Sequence, residues 1–151
     1  MHRARIDDTL KTAMKAKQTH TVATVRLIKA ALKDRDIAAR SKGNHDGITD
    51  DEILSMLQSM IKQRRESVEM YEKGGRAELA EQEAGEITII ETFLPEQMDD
   101  AALSAAVSEI VKEAEATSLK DMGKVMGLLK ERYAGEMDFS KASAQVKNQL
   151  A

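Results

Sequence analysis

The 151-residue sequence contains no cysteine, no tryptophan, one proline, two phenylalanines and two tyrosines. The absence of cysteine excludes disulfides, thiolate metal sites and cysteine nucleophiles. One proline and eight glycines are too few turn-forming residues for an all-β sandwich or barrel. So few aromatic side chains also argue against a surface on which splayed single-stranded bases stack.

The sequence also lacks the patterns that direct a chain to a membrane. No apolar run approaches the ~18–20 residues that are needed to cross a bilayer. The basic residues within Met1–Asp8 are not followed by the apolar segment of a signal peptide. From these absences, and from the lack of cysteine, we expect a cytoplasmic protein with no membrane partner. The net charge of −3 gives no overall basic excess, and we expect no DNA partner.

What the sequence does have is apolar residues at helical spacing along the whole chain, which predicts an all-α protein. The first four helices are predicted over about 3–17, 22–40, 50–73 and 76–94, with Thr19 or Thr21 as the cap of the second. Thr49-Asp50-Asp51-Glu52 is a capping box at the start of the third helix. Gly74-Gly75 follows its end, as is typical of helix C-termini.

The single proline, Pro95, disfavours helix at the residue before it and indicates a domain boundary at about 95–98. We therefore predict an N-terminal four-helix domain over residues 1–95 and a small C-terminal three-helix bundle over 96–151. Asp99 or Asp100, Ser118 and Asp138 are the predicted starts of the last three helices.

Charge is unevenly distributed along the chain. Residues 1–42 contain eleven Lys and Arg against four Asp and Glu, a net charge of +7. Residues 66–91 contain two basic and eight acidic residues, a net charge of −6. The second helix carries a stripe of cations that could follow a phosphate backbone: Arg26, Lys29, Lys33 and Arg40. The alternative is a solvated face that pairs in part with the acidic fourth helix.

The C-terminal bundle has a second basic set, which comprises Lys120, Lys124, Lys130, Arg132, Lys141 and Lys147. Lys120 and Lys124 are predicted in the first turn of their helix, where they could join free backbone N–H groups in holding a phosphate. The alternative is again an ordinary solvated surface. Gly123 and Gly127, four residues apart, predict close packing of this helix against another.

Motifs for catalysis are missing. The sequence has neither a phosphate-binding loop nor a dinucleotide-binding glycine pattern. The three histidines are scattered, and no serine has a base and an orienting group nearby in sequence. We therefore expect no intrinsic catalysis, no metal site and no cofactor.

Several stretches, in a fixed order along nearly the whole chain, together resemble the YqeY family. This family is a free-standing relative of the tail domain of GatB, a subunit of the tRNA-dependent amidotransferase. The pair of Phe93–Gln97 and Lys120–Gly127 is the most specific part of the match. The stretches are Leu10–Lys17, Val25–Ala31, Ile61–Ser67, Phe93–Gln97 and Lys120–Gly127.

The resemblance implies a larger N-terminal helical domain followed by a three-helix, UBA-like bundle. In GatB and in some glutaminyl-tRNA synthetases the related domain helps to hold the outer corner of the tRNA and does not perform the chemistry. Carried over, this implies RNA contacts at Lys120, Lys124, Lys130 and Arg132. The chain departs from the family pattern at Tyr133–Phe139, where Glu136 and Asp138 bring negative charge near these contacts.

Three hypotheses for function follow. The first is a monomeric, non-catalytic protein that binds tRNA or a tRNA-bound enzyme. The second is a protein-interaction module that uses an apolar surface of Leu119, Met122 and Met126. The third is a glutamine-dependent carbon–nitrogen ligase that acts alone, which the family resemblance suggests although nucleophile and nucleotide motifs are missing.

Overall fold

A computed structural model describes all residues, 1–151, and confirms the prediction of an all-α protein. No helix is both long and apolar enough to cross a membrane. The chain divides into two compact units, Met1–Pro95 and Glu96–Ala151. The first unit contains α1 (His2–Lys15), α2 (Thr19–Ser41), α3 (Asp50–Lys73) and α4 (Ala77–Glu91). The second contains α5 (Asp100–Glu113), a 3-10 turn (Leu119–Asp121), α6 (Met122–Arg132) and α7 (Phe139–Leu150).

Two predicted helix ends differ from the structure. α2 begins at Thr19, so Thr19 and Thr21 lie inside the helix and neither caps it. The connection is shorter than predicted because Lys17 takes a positive φ of 56°, which reverses the chain within a few residues. α4 ends at Glu91 instead of Leu94, and the backbone N–H groups of Thr92 and Phe93 donate to Ile89 and Ile90 in a final turn.

The predicted caps at three helix starts are confirmed. The Thr49 hydroxyl accepts from the Glu52 backbone N–H at 3.2 Å, and the Glu52 carboxylate accepts from the Thr49 N–H at 3.3 Å. The carboxylate of Asp99 accepts from the Ala102 N–H at 2.7 Å. Asp138 accepts from two N–H groups at the start of α7. These bonds satisfy donors that have no partner within their own helix.

An ion pair fastens α1 and α2 to the loop before α3 in the first unit. The Arg3 guanidinium donates to both carboxylate oxygens of Asp36, at 2.7 and 2.8 Å, and to the Ile48 carbonyl at 3.0 Å. Asp36 also accepts from the Ile48 N–H at 2.9 Å. These hydrogen bonds, that from Arg3 first, lower the pKa of Asp36 to about 2. Gly47 has a φ of +87°, and a Cβ there would lie 2.7 Å from an Arg3 nitrogen.

A second ion pair joins α3 to α4. The Nε of Arg64 lies 2.8 Å from a carboxylate oxygen of Glu86 and 4.0 Å from one of Glu83. The three side chains are largely buried, with exposures of 15%, 18% and 27%. Burial, together with the neighbouring charge of Glu86, raises the pKa of Glu83. The apolar core of this unit lies among the four helices and includes Ile6, Ile28, Ile53, Leu57, Ile90 and Phe93.

The second unit has its own apolar core. α5, α6 and α7 contact one another pairwise, and the chain between α6 and α7 adds the fully buried Met137. The backbone N–H of Met98 donates to the Glu136 carbonyl at 2.8 Å, which ties the start of the unit to that connection. The core includes Leu103, Val107, Ile110, Val125, Leu129, Met137 and Val146.

Candidate nucleic-acid interface

The predicted stripe on α2 faces solvent. Arg26, Lys29, Lys33 and Arg40 are exposed, in a stripe that runs beside the buried face of Val25, Ile28 and Leu32. Lys29 forms an ion pair with Asp7 at 2.7 Å, and the charge of Arg40 helps to lower the pKa of Asp36. Arg26 and Lys33 form no ion pair.

The basic residues of 1–42 form no ion pair with α4. The glutamates of α4 pair instead with arginines outside that segment: Glu86 with Arg64, Glu91 with Arg65 and Glu78 with Arg76. The pairing with the fourth helix, one part of the alternative, is therefore wrong, and an ordinary solvated face remains as the other part. Apart from the pairs Arg3–Asp36 and Lys29–Asp7, the lysines and arginines of α1 and α2 form no ion pair.

In the C-terminal bundle, two of the four predicted contact residues are held by the bundle itself. The ammonium of Lys124 donates to the carbonyl of Ala114, the residue after α5, at 3.2 Å. Arg132 forms a two-pronged ion pair with Glu113. This pair raises the pKa of Arg132 and lowers that of Glu113, mainly through the hydrogen bonds between them. Lys120 and Lys130 are exposed and form no ion pair.

The turn before α6 already contains an anionic group. The carboxylate of Asp121 accepts from the backbone N–H groups of Thr117 at 2.9 Å and Ser118 at 3.3 Å, and these bonds lower its pKa. Lys120 lies in the 3-10 turn and Lys124 lies in α6 proper. Near the predicted phosphate position, the N–H groups of Thr117 and Ser118 thus already bind the Asp121 carboxylate. The side chain of Lys120 is the remaining free group there.

The glycines of α6 do not pack against another helix. Gly123 and Gly127 are exposed, and a Cβ at either position would meet no atom within 4 Å. The prediction that they permit close packing is therefore wrong. They lie four residues apart, and Lys130 follows three residues later, so the three share one face. Val125 and Leu129 are fully buried on another side of the helix. The exposure of Gly123 and Gly127 could not be inferred from their spacing, because buried and exposed glycine pairs have the same pattern in the sequence.

The apolar surface of the second hypothesis is only partly present. Leu119 is 48% exposed, but Met122 and Met126 are partly buried against the core of the bundle. Sequence reasoning missed two half-exposed apolar residues, Leu27 and Ile37, on the solvent side of α2. Their angular position was the available signal, since at about 100° per residue Leu27 lies about 100° around the helix from Ile28 and Ile37 about 140° from Leu32.

Comparison with known proteins gives a match to one family. A family model described as "Yqey-like protein" matches residues 3–150, which confirms the resemblance inferred from the motifs. "Altered inheritance of mitochondria protein 41, mitochondrial" of Lachancea thermotolerans is 30% identical over 124 residues, covering 78% of this chain and 64% of that protein. The protein of the same name from Eremothecium gossypii is 34% identical over 107 residues, covering 70% and 52%.

A third relative, "Uncharacterized protein C22F3.15" of Schizosaccharomyces pombe, is 30% identical over 84 residues, covering 56% of this chain and 64% of that protein. The chain spans slightly under two thirds of the relatives from Lachancea thermotolerans and Schizosaccharomyces pombe, and about half of the relative from Eremothecium gossypii.

The names of these relatives contradict the expectation of a cytoplasmic protein. Those from Lachancea thermotolerans, Eremothecium gossypii and Kluyveromyces lactis are named as mitochondrial. The expectation is wrong because composition distinguishes reducing from oxidising surroundings and goes no further. The compartment of a protein is specified by a targeting segment, and the sequence of the folded domain carries no corresponding pattern.

Proposed function

The chain belongs to the YqeY family, and on that premise we propose that it is a non-catalytic tRNA-binding protein that assists a tRNA-bound enzyme. In this proposal the second unit is a UBA-like bundle that resembles the tail domain of GatB. Its contact with RNA is made by the surface that we term the glycine face: Gly123, Gly127 and Lys130 of α6, with Lys120 in the turn before it.

The exposed glycines are the observation that carries the proposal. Glycine in the interior of a helix costs about 1 kcal/mol relative to alanine. Neither glycine is required by a positive φ or by a neighbouring atom of the chain. Without a Cβ, the backbone of α6 can be approached closely from outside. A ribose–phosphate backbone is a partner that would benefit from such an approach.

The charges on this face support an anionic partner. Lys120 and Lys130 can meet phosphate oxygens without first breaking an ion pair. Lys124 binds the Ala114 carbonyl, and Arg132 binds Glu113. In the proposal these two cations position the glycine face and do not form the first contact with RNA. Arg26, Lys29 and Lys33 form a second cationic surface, which would attract RNA over a longer range. Such contacts recognise the shape of a folded RNA and not its sequence.

The experiment is a measurement of bulk tRNA binding by fluorescence anisotropy over a series of salt concentrations. The logarithm of the affinity should fall linearly with the logarithm of the salt concentration, with a slope of about 0.7–0.9 per phosphate contact. The double variant Lys120→Gln/Lys130→Gln should bind more weakly and lower that slope by about two contacts.

A matched control comes from two exposed lysines elsewhere in the bundle. The variant Lys112→Gln/Lys147→Gln makes the same change in net charge on α5 and α7, and its slope should stay close to that of the wild type. Equal losses of tRNA affinity in the two double variants would mean that binding depends only on net charge. That result, or the absence of binding at low salt, would overturn the proposed contact.

A protein-interaction module is the second candidate, and the exposure of Leu119 favours it. This side chain, 48% exposed, lies next to Lys120 at the edge of the glycine face. An apolar residue there would suit a protein partner better than a phosphate backbone. A Leu119→Ser variant that leaves tRNA binding intact but loses a nuclease-resistant protein partner would support this candidate.

A further inference from the structure

The solvent side of α2 mixes cations with apolar side chains. Five residues follow one another at spacings of four and three and therefore form a single stripe along the helix. Leu27 lies beside this stripe. Ile37 is 50% exposed and Leu27 is 45% exposed, whereas the opposite side of the helix is buried. The stripe consists of Arg26, Ala30, Lys33, Ile37 and Arg40.

Among the helices of the first unit, α2 has two half-exposed apolar side chains among its cations, while α3 exposes Met70 alone near its C-terminal end. The half-exposed Met14 of α1 lies among Lys11, Lys15 and Lys17. The solvent side of α4, in contrast, carries glutamates, alanines and Gly85, with no large apolar side chain. Single exposed apolar residues are ordinary, but apolar residues interleaved with cations on one helix face indicate an interaction surface.

The acidic side chains near this face are mostly neutralised. Asp7 pairs with Lys29, and Asp36 pairs with Arg3. Asp34 is the acidic residue of α2 that forms no ion pair, and it lies next to Lys33 in the sequence. The face thus keeps the excess of positive charge that characterises residues 1–42.

We propose that this face of α2 lies on the surface of an anionic phospholipid bilayer. Leu27 and Ile37 would enter the boundary between headgroups and acyl chains, while Arg26, Lys33 and Arg40 would extend to the headgroup phosphates. Surface binding of this kind requires no membrane-spanning segment. The expectation of no membrane partner rested on the lack of a membrane-spanning segment. It therefore does not bear on binding to the surface of a bilayer.

Two properties favour a bilayer over a macromolecular partner. The apolar side chains are separated by cations along a convex helix surface, whereas a partner helix docks by placing its apolar face in a groove. The fluid headgroup region of a bilayer, in contrast, can accommodate apolar side chains that are separated by cations. Phosphate contacts of RNA, in turn, would use the cations but gain nothing from Ile37 and Leu27.

The test is co-sedimentation of the full chain with vesicles of phosphatidylcholine that contain about one third phosphatidylglycerol, beside vesicles of phosphatidylcholine alone. We expect binding to the anionic vesicles and none to the neutral ones. Lys33→Gln should lower the partition coefficient about fivefold, because one cation near an anionic surface contributes about that factor. Ile37→Ser should lower it by a similar factor, since the buried part of the side chain is lost.

Matched controls lie on α3. Lys62→Gln makes the same charge change, and Met70→Ser removes an apolar side chain that is 73% exposed. Neither should change vesicle binding. Asp34→Asn should strengthen it, because the substitution removes the unpaired negative charge of the face.

Three outcomes would overturn the proposal. One is no binding to anionic vesicles. Another is binding that falls with Lys33→Gln but not with Ile37→Ser, which would mean adsorption by charge alone. The third is tRNA binding that depends on Arg26 and Lys33 in a protein that vesicles do not retain. The proposal is independent of the glycine face, since Lys120→Gln/Lys130→Gln should leave vesicle binding unchanged.

Discussion

Positive charge has different surroundings in the first unit and on the glycine face of the second. Arg3 and Arg64 are enclosed by carboxylates and carbonyls, and each joins separate segments of the first unit. Lys120 and Lys130 face solvent beside two glycines and form no ion pair. A cation that is partly buried among several acceptors stabilises the fold, whereas an exposed cation without an ion pair is available to a ligand.

Arg64 should have the largest effect on stability. Arg64→Gln leaves Glu86 and Glu83 largely buried without a cation, which should lower the free energy of unfolding by about 3 kcal/mol at neutral pH. Loss of the cation removes the charge that opposes the raised pKa of Glu83, so this pKa should rise further. The deficit should therefore shrink as the pH falls toward the ordinary value of 4.5 and a proton neutralises Glu83. Urea unfolding measures this, and Lys62→Gln on the same helix is the control, with no expected change.

Asp36 should follow, and its deficit should disappear at a lower pH than that of Arg64→Gln. Its pKa is about 2 in the folded protein against 3.8 ordinarily, so its charge stabilises the fold by about 2 kcal/mol above pH 4. This stabilisation should be lost as the pH falls from about 4 through about 2. Asp36→Asn should therefore be less stable than the wild type at neutral pH and nearly equal to it near pH 2. A deficit of the same size at both pH values would show that the charge of Asp36 is unimportant.

The Arg132–Glu113 pair should have the smallest effect. Both side chains are more than two fifths exposed, and exposed ion pairs contribute little to stability. Arg132→Gln should leave the thermal midpoint unchanged within error. A marked loss of stability would contradict this and show that Arg132, like Arg3 and Arg64, stabilises the fold.

The sequence predicted the helices and their caps well because these depend on local chemistry. Thr49, Asp99 and Asp138 each accept from N–H groups within a few residues, so their role is visible in the sequence itself. The start of α2 was missed because the positive φ of Lys17 is unusual for that residue type.

The candidate site was harder to predict because partners distant in the sequence decide which cations are free. Lys124 and Lys120 look alike in the sequence, yet Ala114 binds only the former. Arg132 meets Glu113 across 19 positions. The glycines of α6 show the same limit, since only the fold reveals that nothing covers them.

We propose that Gly123 and Gly127 leave α6 open to a ligand, and tRNA affinity measured beside stability in Gly123→Ala/Gly127→Ala tests this. Alanine should stabilise α6 by about 1 kcal/mol at the interior position of Gly127, and by less at Gly123 in the first turn. Gly85→Ala is the control, since Gly85 is also exposed, lies within α4 and has open space around it. The account predicts that both variants gain stability while only the α6 variant loses tRNA affinity, by about tenfold or more. An α6 variant that is more stable and binds tRNA as well as the wild type would contradict it.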